Sequence, residues 1–297
     1  MGFFSDAAHF VMSLGVAFKG PEGVVLAADS RVTLMAMRQV GPHEAQAIPA
    51  TFDNATKLLQ LQSQKFVGAV TYGLGALGVQ EPRTAHSFLP EFEEELLSDP
   101  EYADDQGRPV RISVRRFSEL LSDFFMRQWR DTMPEDYGGE PLIFLVGGYD
   151  EDSPYGSVYQ MTLPYQPTPV EQNANQFGAT WGGQLQIVNR IMHGHDPALV
   201  NVAERALDLT PEQAQTLAKS LQDELRLPIP YQFLPLQDCV DLAIFLVRTT
   251  MELQTWQVEV RGVGGAIDVA TITRTEGFEP VQVKSIQGED SFRTRRA

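Results

Sequence analysis

Cysteine is all but missing: Cys239 stands alone among 297 residues, which excludes a disulfide framework and a thiolate metal cluster and fits a reducing cytoplasm. Basic residues are scarce too. Lysine and arginine number 23 against 39 aspartates and glutamates, a formal charge of −16, and such a surface repels phosphate backbones, which argues against nucleic acid as a partner. No apolar run approaches the ~18 residues that a bilayer-spanning helix requires, so no membrane span is expected. Met1 to Ser13 carries Phe3, Phe4, Phe10 and Val11 but lacks the Lys or Arg of a secretory leader. Among the histidines only His193-Gly194-His195-Asp196 clusters; with no partners at metal-ligand spacing it reads as a loop. The G-x-S-x-G of the usual serine esterases does not occur.

What is present is ordinary for a globular chain, 43% hydrophobic and 21% charged, and long enough to bury a substantial core. The most telling stretch runs from Ser13 to Thr33. Leu14 to Phe18 and Val24 to Ala28 are apolar throughout and flank Lys19-Gly20-Pro21-Glu22-Gly23, a pattern that reads as a β-hairpin buried on both faces. Its second strand delivers Asp29, Ser30 and Arg31 at the edge of the core, where a structural Asp29–Arg31 ion pair is the plain reading. Leu34 to Asn54 reads as a loop with one short helix.

Lys57 to Leu61 and Phe66 to Tyr72 form a second hairpin, and Pro141 to Asp150 with Ser157 to Leu163 a third. Ser113 to Met133 spaces Phe117, Leu120, Leu121, Phe124, Phe125 and Trp129 as an amphipathic helix lying on a sheet. A Pro-, Gln- and Asn-rich loop is expected up to Gln176, then a short strand from Gly178 to Gly183 entering the helix Gln184 to Met192. Thr210-Pro211-Glu212-Gln213 caps a polar helix reaching Leu225. Gln237 to Trp256 reads as the most buried helix, and Ala266 to Arg274 with Pro280 to Ile286 as closing strands. Met1 to Met12 is a candidate leader, residues 13–286 a single domain, and Gln287 to Ala297 a mobile tail. Strands joined by short turns and alternating with groups of helices indicate antiparallel sheets stacked between helical layers, an α+β architecture.

Gly73-Leu74-Gly75-Ala76-Leu77-Gly78 matches G-x-G-x-x-G after a strand, the phosphate cradle of a dinucleotide-binding oxidoreductase. That reading needs a second parallel strand soon afterwards ending in an acid. Val79 to Asp105 is instead Glu-rich, Pro-broken and helix-like, so a Gly-rich turn is the simpler account.

G-V-V-L-A-A-D-S-R-V-T after a hairpin of this shape resembles the opening of a proteasome-type β subunit in the N-terminal-nucleophile hydrolase group, and Leu142 to Asp150 with Gly156 to Met161 resembles that family's central strand pair. The resemblance covers about Ser13 to Val283. It implies a four-layer αββα sandwich, hydrolysis of a peptide or protein substrate without a cofactor, and a homo-oligomeric cytoplasmic ring, and it leaves any partner ATPase unspecified. It places Ser13 where the family has its nucleophile, active only once removal of Met1 to Met12 frees the α-amine as base. Asp29 falls on the family's acid, Lys57 on its lysine and Arg31 on its basic residue, with the Gly73 N–H facing the oxyanion. Departures are equally specific. The family's later serine falls on Gly182, its late Asp and Ser on Val260 and Val263, and Met12 replaces the glycine usual before the nucleophile. These losses leave open a non-catalytic assembly subunit that keeps the fold alone.

Overall fold

A computed structural model describes residues 13–41, 44–79, 81–104, 106–258 and 260–286; the candidate leader and the tail lie outside them. In chain order come β1 (Leu14–Lys19), β2 (Val24–Asp29), β3 (Val32–Gly41), β4 (Glu44–Phe52), β5 (Leu58–Leu59), β6 (Val67–Gly73), α1 (Leu89–Ser98) and α2 (Val114–Thr132). They are followed by β7 (Leu142–Gly148), β8 (Ser157–Leu163), β9 (Gln166–Gln172), β10 (Gly178–Gly183), α3 (Leu185–Met192), α4 (Ala198–Leu207), α5 (Pro211–Leu225), α6 (Leu236–Gln254), β11 (Ile267–Thr273) and β12 (Gly277–Gln282).

Two five-stranded sheets, ordered β10-β1-β2-β11-β12 and β5-β6-β7-β8-β9, are antiparallel throughout. Strand periodicity explains how they stack, because alternate side chains of a strand must enter opposite spaces. On β1 and β2, Leu14, Val16, Phe18, Val25 and Ala27 enter an apolar cluster with Val240, Ala243, Leu246 and Val247 of α6 and Val188 of α3. Their alternates Ala17, Val24, Leu26 and Ala28 meet Val70, Tyr72 and Leu145 of the other sheet. That second sheet turns Val67, Ala69, Phe144 and Val146 outward onto Phe92 of α1 and Leu121, Phe124 and Phe125 of α2. Three apolar spaces separate four layers, so the fold is the expected αββα sandwich. Ser13 and Gly15 have the parity of Ala17, which directs Ser13 into the space between the sheets.

Several local expectations change. Leu34 to Asn54 is no loop: β3 and β4 form a separate antiparallel ribbon, with Val32 opposite Phe52 and Gln39 opposite Ala45. Its methionines and alanines favour helix locally, but cross-strand pairing overrides a weak propensity. The expected loop before Gln176 contains β9, whose Pro167 and Pro169 are tolerated because β9 is an edge strand. The final strand begins at Gly277 rather than Pro280, and α4, with no buried residue, escaped notice because it buries no periodic face. The helix expected to be the most buried, α6, leaves Phe245 and Leu253 exposed, whereas α2 sinks Phe117, Phe124, Phe125 and Trp129 into the chain's own core. A face so used is the one expected to lie on a sheet, and it is not free to pack on a neighbour. The capping box at Thr210 forms, its hydroxyl accepting from Gln213 N and Gln213 Oε1 accepting from Thr210 N. No described helix is long and apolar enough to cross a membrane.

The dinucleotide reading loses its context as well. β6 lies antiparallel to both β5 and β7, and Leu77 and Arg83 bridge around Gly78, so among the described residues the Gly-rich turn does not lead through a helix into a parallel strand as a dinucleotide site requires.

Candidate active site

Three of the residues singled out in the sequence converge. Ser13 precedes β1, Asp29 ends β2, and Lys57 enters β5 in the facing sheet; all three are buried. Lys57 Nζ donates to Ser13 Oγ at 2.9 Å and to Asp29 Oδ1 at 2.7 Å. Hairpin geometry explains half of this, because pairing Gly15 with Ala28 leaves Ser13 and Asp29 at the same end of the hairpin. Sheet stacking supplies the lysine from across the sandwich.

Asp29 is completely enclosed, and its carboxylate is satisfied by four donors. Besides Lys57 these are the backbone N–H groups of Leu14 at 3.0 Å, Arg31 at 3.1 Å and Gly264 at 3.0 Å. Burial of a charge is tolerable only with such complete pairing. Burial pushes the Lys57 ammonium below the ordinary lysine value, an effect that the Asp29 carboxylate opposes and that the charge of Lys284 reinforces. A lysine so placed is poised to release a proton more readily than a solvated one and to hold the serine oxygen by a charge-assisted hydrogen bond.

Arg31 behaves differently from either sequence reading. Its guanidinium grips the carboxylate of Asp53, with Nε at 2.5 Å and a second contact at 2.9 Å, and donates to the Arg261 carbonyl at 3.1 Å. The ion partner of Asp29 is therefore Lys57, and Arg31 reaches the site only through its backbone N–H. The Arg31–Asp53 pair closes the base of the β3–β4 ribbon, whose two feet carry Asp29 and Lys57. Glycine is required beneath this clamp: a Cβ on Gly264 would lie 2.5 Å from Arg31 Cζ, and Gly265 has φ +75° with the Asp53 carbonyl 2.2 Å from a Cβ position.

Gly73 ends β6 with φ +83°, and a Cβ there would lie 2.2 Å from the Pro141 carbonyl. It does not line the cleft itself. Ser13 and Lys57 share that cleft with Tyr72, Leu74, Gly75, Val32, Ala55, Thr56, Thr71, Thr84 and Ala85. The free space there is about 10 Å³, enough for roughly one water.

Tyr72, Asp53 and Gly264 were not singled out for the site by sequence reasoning. The paired glycines of V-R-G-V-G-G were the signal for Gly264, since close backbone approach needs them. Nothing local marked Tyr72. Of the positions carrying departures, Gly182 and Val263 are buried and Val260 is half-buried, while Met12 lies outside the described residues; Val263 N donates to Gln254 Oε1 at 3.0 Å. The His193–Asp196 segment is engaged in local bonds: His195 Nδ1 lies 3.0 Å from the His193 carbonyl, and Asp196 binds Arg190 and accepts from Ala198 N.

No protein-family model matches the sequence, and no curated protein matches it. Solved structures do match. An Anbu mutant from Hyphomicrobium sp. strain MC1 is similar with a TM-score of 0.52 and 15% identity, over 94% of this chain and 89% of that one. Anbu is a bacterial proteasome-like subunit of the N-terminal-nucleophile hydrolase type. At this identity the likeness speaks for the fold, and the antiparallel αββα sandwich is common to both.

Proposed function

We propose that this protein is a proteasome-like amide hydrolase in which Ser13 is the nucleophile. The observation that carries the reading is the buried bridge from Lys57 Nζ to both Ser13 Oγ and Asp29 Oδ1, a nucleophile, cation and acid brought together from two sheets. Fold likeness alone would not supply it.

Cleavage after Met12 converts the Ser13 amide into an α-amine whose pKa of about 8 suits a general base at neutral pH. The hydroxyl proton passes to that amine as Oγ bonds to the substrate carbonyl carbon, and the carbonyl π pair becomes an oxyanion. Collapse restores the carbonyl, breaks the C–N bond and hands the proton to the leaving amine; water then hydrolyses the Ser13 ester. Lys57 stabilises the oxygen as its proton departs, and Asp29 keeps the lysine charged and in place. By the same likeness we extend the proposal to assembly as a homo-oligomeric ring.

A specific observation supports a second reading, that of a non-catalytic assembly subunit. The cleft beside Ser13 has about 10 Å³ of free space, and Gly182, Val260 and Val263 bring no side-chain hydroxyl or carboxylate. Intact-mass measurement together with a fluorogenic peptide panel separates the two. The hydrolase reading expects mature chains beginning at Ser13, activity that rises with pH through ~8, and a loss of ~10²–10⁴ in Ser13→Ala and Lys57→Ala. Unprocessed wild type, with hydrolysis unchanged by either substitution, would overturn the Ser13 mechanism and favour the assembly reading.

A further inference from the structure

Tyr72 comes from β6 into the space between the sheets and is 2% exposed. Its ring lies directly on two glycines paired across β1 and β10, Gly15 and Gly182. A Cβ on Gly15 would lie 2.3 Å from Tyr72 Cδ1, and one on Gly182 would lie 2.1 Å from Tyr72 Oη. The ring therefore spans from β1 toward β10, with its hydroxyl over Gly182. Ser13, two residues before Gly15, shares its parity on this same inner face, and Tyr72 lines the cleft that holds Ser13 and Lys57.

A buried tyrosine hydroxyl ordinarily finds a partner. That of Tyr72 makes no hydrogen bond with a described residue and is not one of the fully enclosed polar atoms left without a partner, whereas its neighbour Thr71 donates to the Ile143 carbonyl at 3.1 Å. Burial raises the phenol above its ordinary value, so it stays protonated as a hydrogen-bond donor at any working pH. An unspent donor beside a nucleophile is the equipment that a developing negative charge requires.

We propose that Tyr72 is a catalytic donor, its hydroxyl binding the oxyanion that forms when Ser13 attacks a carbonyl. The inference rests on the Ser13 reading above. It also accounts for the glycine at 182: a side chain there would occupy the space the phenol fills. In the tetrahedral adduct the Oγ–C bond has formed and the carbonyl oxygen carries the charge; Tyr72 O–H donates to that oxygen without transferring its proton, and the bond weakens when the carbonyl re-forms.

Tyr72→Phe keeps the ring on Gly15 and Gly182 and removes only the donor, so the substitution leaves packing intact. Three proteins are compared, wild type, Tyr72→Phe and Ser13→Ala, each assayed with fluorogenic peptides and titrated with an acetyl-dileucine boronic acid, which forms a tetrahedral anion on a serine oxygen. The expected result is a fall of about 10²-fold in kcat for Tyr72→Phe, on the scale of losing one oxyanion donor, with KM little changed, a comparable weakening of the boronate and an unaltered thermal midpoint. Wild-type boronate binding that Tyr72→Phe leaves intact would overturn the role of Tyr72 and leave the Ser13 mechanism standing. Wild-type binding no tighter than that of Ser13→Ala would overturn both.

Discussion

At the scale of single residues, the relation between Tyr72 and Gly182 makes a sharp expectation for restoring the serine that the family resemblance places at 182. Gly182→Ser puts a Cβ into the phenol, and overfilling a packed interior destabilises by about 1–3 kcal/mol. In a Tyr72→Ala background the same change enters vacated space and should be close to neutral. Denaturant titration of the four proteins measures the difference as a coupling energy; equal effects of Gly182→Ser in both backgrounds would show that the ring does not stand over residue 182 in solution. The same pair shows how far the site was legible in the sequence. Ser13, Asp29 and Lys57 could be named because the resemblance carried by the opening hairpin assigns each of them a place. Tyr72 could not, since its contact with Gly15 and Gly182 depends on how two sheets stack, and no local spacing encodes that. Arg31 was noticed for the right reason, a charge at a strand end. Its partner Asp53 is not legible locally, because it reaches Arg31 only across the ribbon, where the composition predicts a loop.

Among the described elements, the β3–β4 ribbon pairs with no strand of either five-stranded sheet. It is a sheet of two strands, and Arg38, Gln39, Val40, Thr51 and Phe52 are exposed along it. A two-stranded ribbon is marginal in water without a third strand or a packed face, and opening free energies are lowest where few apolar contacts close. Amide hydrogen exchange should therefore be fast over residues 34–50 and slow over β1, β2 and β6, whose residues are all buried. At the ribbon's base, Arg31 and Asp53 should hold the feet, so that Ala55, whose N–H bonds to the Ser30 carbonyl at 3.0 Å, exchanges slowly. Protection of the ribbon equal to that of β1 would mean that another surface covers it. Elements with a strong apolar signal are legible in advance: the hairpins β1–β2, β5–β6 and β7–β8, with α2, α3 and α6, fall where apolar runs, turn residues and helical spacing put them. The ribbon, whose Ala-, Gln- and Pro-rich sequence reads as a loop, the proline-bearing edge strand β9 and α4, which buries no residue, carry no such signal, whereas α5, which buries only Ala214, is legible from its cap.

For the whole molecule, the open question is what covers the apolar side chains that one chain leaves outside. The outer side of α6 and its flanks expose Phe233 at 75%, Phe245 at 50% and Trp256 at 76%. Isolated exposed apolar residues are normal, but exposed aromatics at both flanks and on the outer side of one helix mark it as a candidate for meeting a partner. Like copies joined there would also bring together two chains of formal charge −16, and such repulsion between exposed charges is screened over about 10 Å at 0.1 M salt. Assembly should therefore strengthen as salt rises, the opposite of an interface held by ion pairs. Native mass and sedimentation at micromolar concentration should find an oligomer that is more complete at 0.3 M than at 0.03 M salt, and Phe245→Glu with Trp256→Glu should yield a folded monomer with an unchanged circular dichroism spectrum. A wild-type chain that stays monomeric at both salt concentrations would remove the ring from the proposal while leaving the chemistry of Ser13, Lys57 and Asp29 to be judged by the peptide and boronate assays. An oligomer that survives the double substitution would place the interface elsewhere, on a face that excludes α6.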